Sequence, residues 1–194
     1  MTKKSKITAA IAVLILLLAY IFPLWRIDLE APQYPEGIGL LIWVNEITGK
    51  NPNDLHNING LNHYIGMKEI DPESIPELRI MPFLIGGMIV LGLLAVAWGR
   101  KNIWLIWTII LLLIMVAGII DFYLWEYDYG HNLNPKAAIK IPGMSYQPPL
   151  IGSKQLLNMR TSSWPDIGGW AIVMSSLLGV LILTVPEKNK SGDL

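Results

Sequence analysis

Four apolar segments, each long enough to cross a bilayer, constrain this chain more than any other feature of its sequence. They comprise residues 7–24, 80–98, 103–124 and 167–185, and they contain almost no ionisable side chains. About 20 residues of α-helix cover the roughly 30 Å hydrocarbon core of a membrane. We therefore predict an all-α membrane protein with four transmembrane helices, whose two long connecting loops are ordered and form an extracytoplasmic cap.

The composition agrees with this class and excludes several others. Hydrophobic residues make up 53% of the chain and charged residues 15%, which leaves too little polar surface for a soluble domain. Basic and acidic residues balance at 15 each, and no basic stripe is available to neutralise phosphates, so nucleic acid is not an expected partner. The absence of cysteine excludes disulfides, thiolate zinc sites and iron–sulfur clusters.

The positions of lysine and arginine predict the orientation, because cytoplasmic flanks of membrane helices are enriched in these residues. Residues 1–24 are expected to form an uncleaved anchor, 99–102 a cytoplasmic turn and 186–194 a cytoplasmic tail. Residues 25–79 and 125–166 then form the outer loops, and the expected partners are the lipid bilayer and other membrane or periplasmic proteins. The cations that predict this arrangement are Lys3, Lys4, Lys6, Arg100, Lys101, Lys188 and Lys190.

The first outer loop is predicted to contain a helix that begins at Asn53 or Asp54 and runs toward Met67. In helical register His56, His63 and Met67 share one face, at i, i+7 and i+11. Two imidazoles and a thioether on the outer side of a membrane suit a soft metal ion such as Cu(I). The alternative is that these histidines are only solvated or hydrogen-bonded to backbone.

The second outer loop offers further candidate ligands. If the third apolar segment continues as helix beyond the membrane, Asp121, Asp128 and His131 project from a similar face, at i, i+7 and i+10. In the alternative, Gly130 ends that helix first and Asp121 reaches only the membrane interface. The remainder of this loop is rich in proline and glycine, so we expect it to be mostly irregular and laid over the first loop.

No catalytic motif is present. The chain has no GxSxG elbow, no HExxH sequence and no phosphate-binding glycine loop, and its apolar segments carry no pair of histidines that would hold haem. The segments also lack the paired carboxylates expected of a transporter. The sequence therefore predicts an accessory or assembly protein without enzymatic activity.

Four sequence strings carry a resemblance to a known family: APQYPEG (31–37), NGLNHYIGM (59–67), PPLIGSKQLLN (148–158) and SWPDIGGW (163–170). With them the chain resembles small four-span membrane proteins encoded in nitrous-oxide reductase gene clusters of the clade II type. The resemblance implies an accessory role near a periplasmic copper enzyme, in maturation, copper supply or membrane docking. The alternative is a structural subunit of a larger membrane complex, with docking loops and no metal.

Overall fold

The computed structural model describes residues 1–156 and 158–185, and it divides into a helical bundle and a cap built around a β-sheet. The predicted cytoplasmic tail, 186–194, lies outside the described residues. The helices are α1 (Lys3–Ile15), α2 (Asp54–Ile65), α3 (Pro76–Trp98), α4 (Lys101–His131) and α5 (Ile167–Thr184). The strands are β1 (Trp25–Ala31), β2 (Tyr34–Ile42), β3 (Ile47–Gly49), β4 (Gly152–Leu156) and β5 (Met159–Pro165).

The prediction of an all-α protein is wrong, because the two outer loops combine into one five-stranded antiparallel sheet. Its strand order is β3-β2-β1-β5-β4. The central pairing joins β1 of the first loop to β5 of the second, in a register that runs from Trp25 opposite Pro165 to Glu30 opposite Arg160. The second loop is mostly irregular, as expected, over residues 132–151, but its last part forms β4 and β5, and β5 packs on the first loop.

The two central strands differ in how clearly the sequence marks them. In β1, Trp25, Ile27 and Leu29 alternate with charged residues, which is the period-2 pattern of a strand with one buried face. In β5 the buried positions include Thr161 and Ser163, so the polar residues fall on both faces and the hydrophobic alternation is lost. A strand of this composition is recognisable only from its partner.

The prediction of four transmembrane helices is also wrong. Among the described residues, three helices, α3, α4 and α5, are long and apolar enough to cross a membrane. The first apolar segment forms the 13-residue helix α1, which a 3-10 helix over Leu16–Tyr20 continues. The helix cannot extend through Pro23, because proline lacks the amide hydrogen and disfavours helical geometry in the residue before it.

Hydrogen bonds at the bundle ends fix which segments lie together. The amino group of Met1 donates to the Gly99 carbonyl at 2.9 Å, and Lys101 Nζ donates to the Val185 carbonyl at 3.1 Å. The Tyr20 hydroxyl donates to the carbonyl of Pro82, near the start of α3. The N-terminus, the α3–α4 turn and the end of α5 therefore meet at one end of the bundle, and the cap lies at the other.

Helix α4 joins the bundle to the cap. Its 31 residues extend about 46 Å, which exceeds the roughly 30 Å of a membrane core. The apolar stretch ends at Leu124, and Trp125 and Tyr129 pack on a cap core that includes Ile27 of β1 and Ile58 of α2. Of the two alternatives that the sequence left open, the structure shows the helix continuing beyond the apolar segment to His131, and Gly130 does not end it.

Candidate functional site

The first candidate site is an open groove of about 260 Å³ on the outer face of α2. The predicted helix in the first loop is confirmed by α2, and its exposed face carries His56 and His63. The residues that line the groove are His56, Asn59, Gly60, His63, Met67 and Glu69. The structure thus places three of the six sequence-predicted ligands, two imidazoles and one thioether, along a single groove.

Two asparagines of α2 bring Met67 and Glu69 to this groove. The helix gives way at Gly66, whose φ of 81° is a left-handed conformation that glycine adopts without strain. The chain then returns along α2, because Asn59 donates to the Ile70 carbonyl at 3.0 Å and accepts from the Ile70 amide at 2.8 Å. Asn62 holds the Lys68 carbonyl at 3.3 Å. The groove is therefore formed by α2 on one side and by residues 67–70 on the other.

The other three predicted ligands lie on α4 and do not line the groove. Asp128 is paired with Lys68, and the hydrogen bonds from Lys68 and Asn132 hold the pKa of Asp128 below its usual range. His131 is exposed, stacks on Tyr127 with ring centroids 4.0 Å apart, and places Nδ1 3.0 Å from the Tyr127 carbonyl. Asp121 is exposed on the apolar stretch of α4, about 15 Å along the helix axis from His131.

The second candidate site is an inner cavity of about 90 Å³ between α2, the sheet and the last turns of α4. Most of its lining is aliphatic, with Ile27, Leu40 and Ile58 among the contributors. Met67 lines both the groove and this cavity, so the two sites are neighbours.

The inner cavity also gathers buried polar groups that have no partner. Glu126 is 1% exposed and both of its carboxylate oxygens lack a hydrogen bond. The Tyr146 hydroxyl and Thr161 Oγ1 are likewise buried without a partner. The Trp125 indole N–H is also buried without a hydrogen-bond partner. Buried polar groups are normally satisfied, so a concentration of exceptions in one cavity indicates a place for something to bind.

Burial determines the acidity of the central carboxyl group. Desolvation raises the pKa of Glu126 to about 8. Lys68, the cation beside this part of α4, is paired with Asp128 instead. The cavity therefore holds a carboxyl group that is largely protonated near pH 7. It becomes a carboxylate only at higher pH or when a cation pairs with it.

Sequence reasoning missed Glu126, Tyr146 and Thr161. Nothing in the local sequence distinguishes a buried glutamate such as Glu126 from a solvated one. One signal was available: in a helix that continues beyond Leu124, Glu126 falls between Phe122 and Tyr129 on a face that aromatic residues otherwise occupy.

Among the described residues, no group of three His, Asp or Glu side chains lies close enough to hold a metal ion. The groove instead combines imidazole with thioether, and both donors suit a soft ion. Comparison of the chain with protein-family models and with curated proteins finds no match. The family resemblance of the four sequence strings stays a prediction.

Proposed function

We propose that this protein is a membrane accessory protein whose outer cap binds Cu(I) in the α2 groove, in support of a periplasmic copper enzyme such as nitrous-oxide reductase. The observation that carries the proposal is that His56, His63 and Met67 line one groove. Cu(I) prefers sulfur and imidazole nitrogen over water, and the groove offers both to an ion arriving from outside. The link to a periplasmic copper enzyme comes from the family resemblance and is part of the proposal.

The helical spacing ranks the ligands. His63 lies in the last turn of α2 and Met67 directly follows the reversal at Gly66, so these two groove residues form the central pair. His56 lies about 10 Å along the axis from His63 and joins the site only if its side chain leans toward that pair. We therefore expect His63 and Met67 to contribute most of the affinity.

The membrane placement belongs to the same proposal. Helices α3, α4 and α5 cross the cytoplasmic membrane, the cap faces the periplasm or cell exterior, and both termini lie in the cytoplasm. The cations at residues 3–6 and 100–101 support this orientation, because they flank the bundle end where Met1, Gly99 and Val185 meet.

Competition for Cu(I) tests the site. The full chain in lipid nanodiscs is titrated with Cu(I) under reducing conditions against a chromophoric chelator. We expect His63→Ala to weaken binding roughly tenfold or more, a loss of about 1.4 kcal/mol or more. Met67→Leu, which keeps the volume of the side chain, should weaken binding to a similar degree.

The matched control is His131→Ala, which removes an exposed imidazole of the same cap outside the groove. It should leave the affinity unchanged. Equal behaviour of wild type, His63→Ala and His131→Ala, or no binding above background, contradicts the copper proposal. The remaining function is then a structural subunit of a larger membrane complex, in which the cap is a docking surface without metal.

A further inference from the structure

The inner cavity is distinct in its chemistry from the copper groove. Its unpaired oxygens belong to the Glu126 carboxylate, the Tyr146 hydroxyl and the Thr161 hydroxyl, in residues that are 1%, 3% and 1% exposed, and the Trp125 indole N–H is an unpaired donor of the same lining. They come from α4, from the segment before β4 and from β5, so the fold brings together groups that are far apart in sequence. An unpaired buried polar group costs about 1–3 kcal/mol, and a charged one costs more.

We propose that the inner cavity binds the ammonium group of a small primary amine, with Glu126 as counter-ion and the Tyr146 and Thr161 oxygens as further acceptors. A primary ammonium group has three N–H donors and no acceptor. The carboxylate and the two hydroxyl groups of the cavity each accept hydrogen bonds. Because all three line one cavity, an ammonium group bound there has an acceptor available for each N–H.

The surroundings favour a cation over a neutral ligand. The rings of Trp125 and Tyr129 lie 4.5 Å apart and both line the cavity. Aromatic faces attract ammonium groups, and the attraction increases when the site excludes water.

The size of the cavity limits the ligand. About 90 Å³ corresponds to roughly three water molecules at about 30 Å³ each. That volume admits an ammonium group with a short carbon chain and excludes a peptide or a nucleoside. A primary ammonium group has two sources beside a membrane, a soluble amine and the ethanolamine headgroup of a lipid, and both present the same N–H donors.

Calorimetric titration with propylammonium chloride tests the proposal. The full chain in phosphatidylcholine nanodiscs is titrated at pH 8.5, where the amine is still protonated, and propan-1-ol of the same length serves as the neutral probe. We expect saturable binding of propylammonium and at least about tenfold weaker binding of propan-1-ol. Glu126→Gln, which keeps the side-chain shape, should also weaken propylammonium binding at least about tenfold.

Three controls make the result specific. Glu30→Gln removes an exposed carboxylate of β1 outside the cavity and should leave binding unchanged. His63→Ala should also leave it unchanged, which separates this site from the copper groove. Nanodiscs that contain phosphatidylethanolamine should weaken propylammonium binding if the lipid headgroup is the natural source, and should not if it is a soluble amine.

The proposal fails under either of two results. The first is equal binding of propylammonium to wild type and Glu126→Gln. The second is the absence of saturable binding of propylammonium to wild type, in which case the cavity holds only water. Circular dichroism of Glu126→Gln confirms that a lost signal reflects the missing carboxylate and not an unfolded cap.

Discussion

Asp54 and Glu126 both have buried carboxyl groups in the cap, but only that of Asp54 is hydrogen-bonded. Asp54 is 4% exposed and its Oδ2 accepts hydrogen bonds from the Gly39 amide at 2.9 Å and the Asn51 amide at 3.1 Å. Glu126 is 1% exposed and accepts none. Hydrogen bonds stabilise the ionised form of a carboxyl group and burial alone disfavours it, so these two residues serve different purposes. Asp54 has a structural role, and Glu126 is available to a ligand.

The pH dependence of stability should therefore depend on Glu126. Its pKa is raised to about 8 in the folded protein and is about 4.5 when unfolded. Because the folded pKa is the higher one, its contribution to stability is fully present below pH 4.5 and is lost as the pH rises through 8. Between pH 5 and pH 9 we expect the free energy of unfolding of wild type to fall relative to that of Glu126→Gln, by on the order of several kcal/mol. The measurement is the difference between the thermal midpoints of the two proteins at each pH.

The other titratable side chains that line this cavity are Tyr146 and Tyr129, and burial raises the pKa of Tyr129. Subtracting the two melting curves at each pH removes the contributions of groups elsewhere in the chain. Parallel curves for wild type and Glu126→Gln would mean that the carboxyl group is not desolvated in the folded protein.

At the scale of elements, a polar contact adds to the apolar packing that attaches α2, and with it the groove, to the sheet. The Asp54 carboxylate at the start of α2 spans the end of β3 and the middle of β2 through its bonds to Asn51 and Gly39. An added Cβ at Gly49 would lie 2.9 Å from Asp54 Cβ, so the glycine permits this close approach. The position of the groove relative to the sheet thus depends on a short polar network together with the apolar core of the cap.

Asp54→Ala should destabilise the cap by about 2–4 kcal/mol, because it leaves buried amide groups without an acceptor. The matched control is Asp71→Ala, which removes a similar carboxylate-to-amide bond, 3.1 Å to Glu73, at an exposed turn. It should cost no more than about 1 kcal/mol. Amide hydrogen exchange in β2 and α2 gives the free energy of local opening. Similar costs for the two variants would show that the Asp54 network does not hold α2 to the sheet.

For the molecule as a whole, the sequence predicted what local patterns determine and missed what distant pairing determines. The apolar helices α3, α4 and α5 and the helix α2 with its histidine face follow from hydropathy and helical period, whereas the extension of α4 was one of two open alternatives. The sheet does not, because β1 pairs with β5 across most of the chain and Thr161 and Ser163 interrupt the alternation that marks a strand. The inner cavity was missed for the same reason, since β5 supplies one of its walls.

The membrane orientation is open to a direct measurement, because the chain contains no cysteine. Asn53→Cys places a single thiol at an exposed position in the cap, and Asn102→Cys places one at the opposite end of the bundle, beside Lys101. Both changes leave every charged residue intact, so the distribution of lysine and arginine that predicts the orientation is unaltered.

With a membrane-impermeant maleimide, right-side-out vesicles should label Asn53→Cys at once and Asn102→Cys only after detergent is added. Inverted vesicles should give the reverse. If right-side-out vesicles label Asn102→Cys first, the cap faces the cytoplasm, and neither a periplasmic copper enzyme nor an extracytoplasmic amine can be its partner.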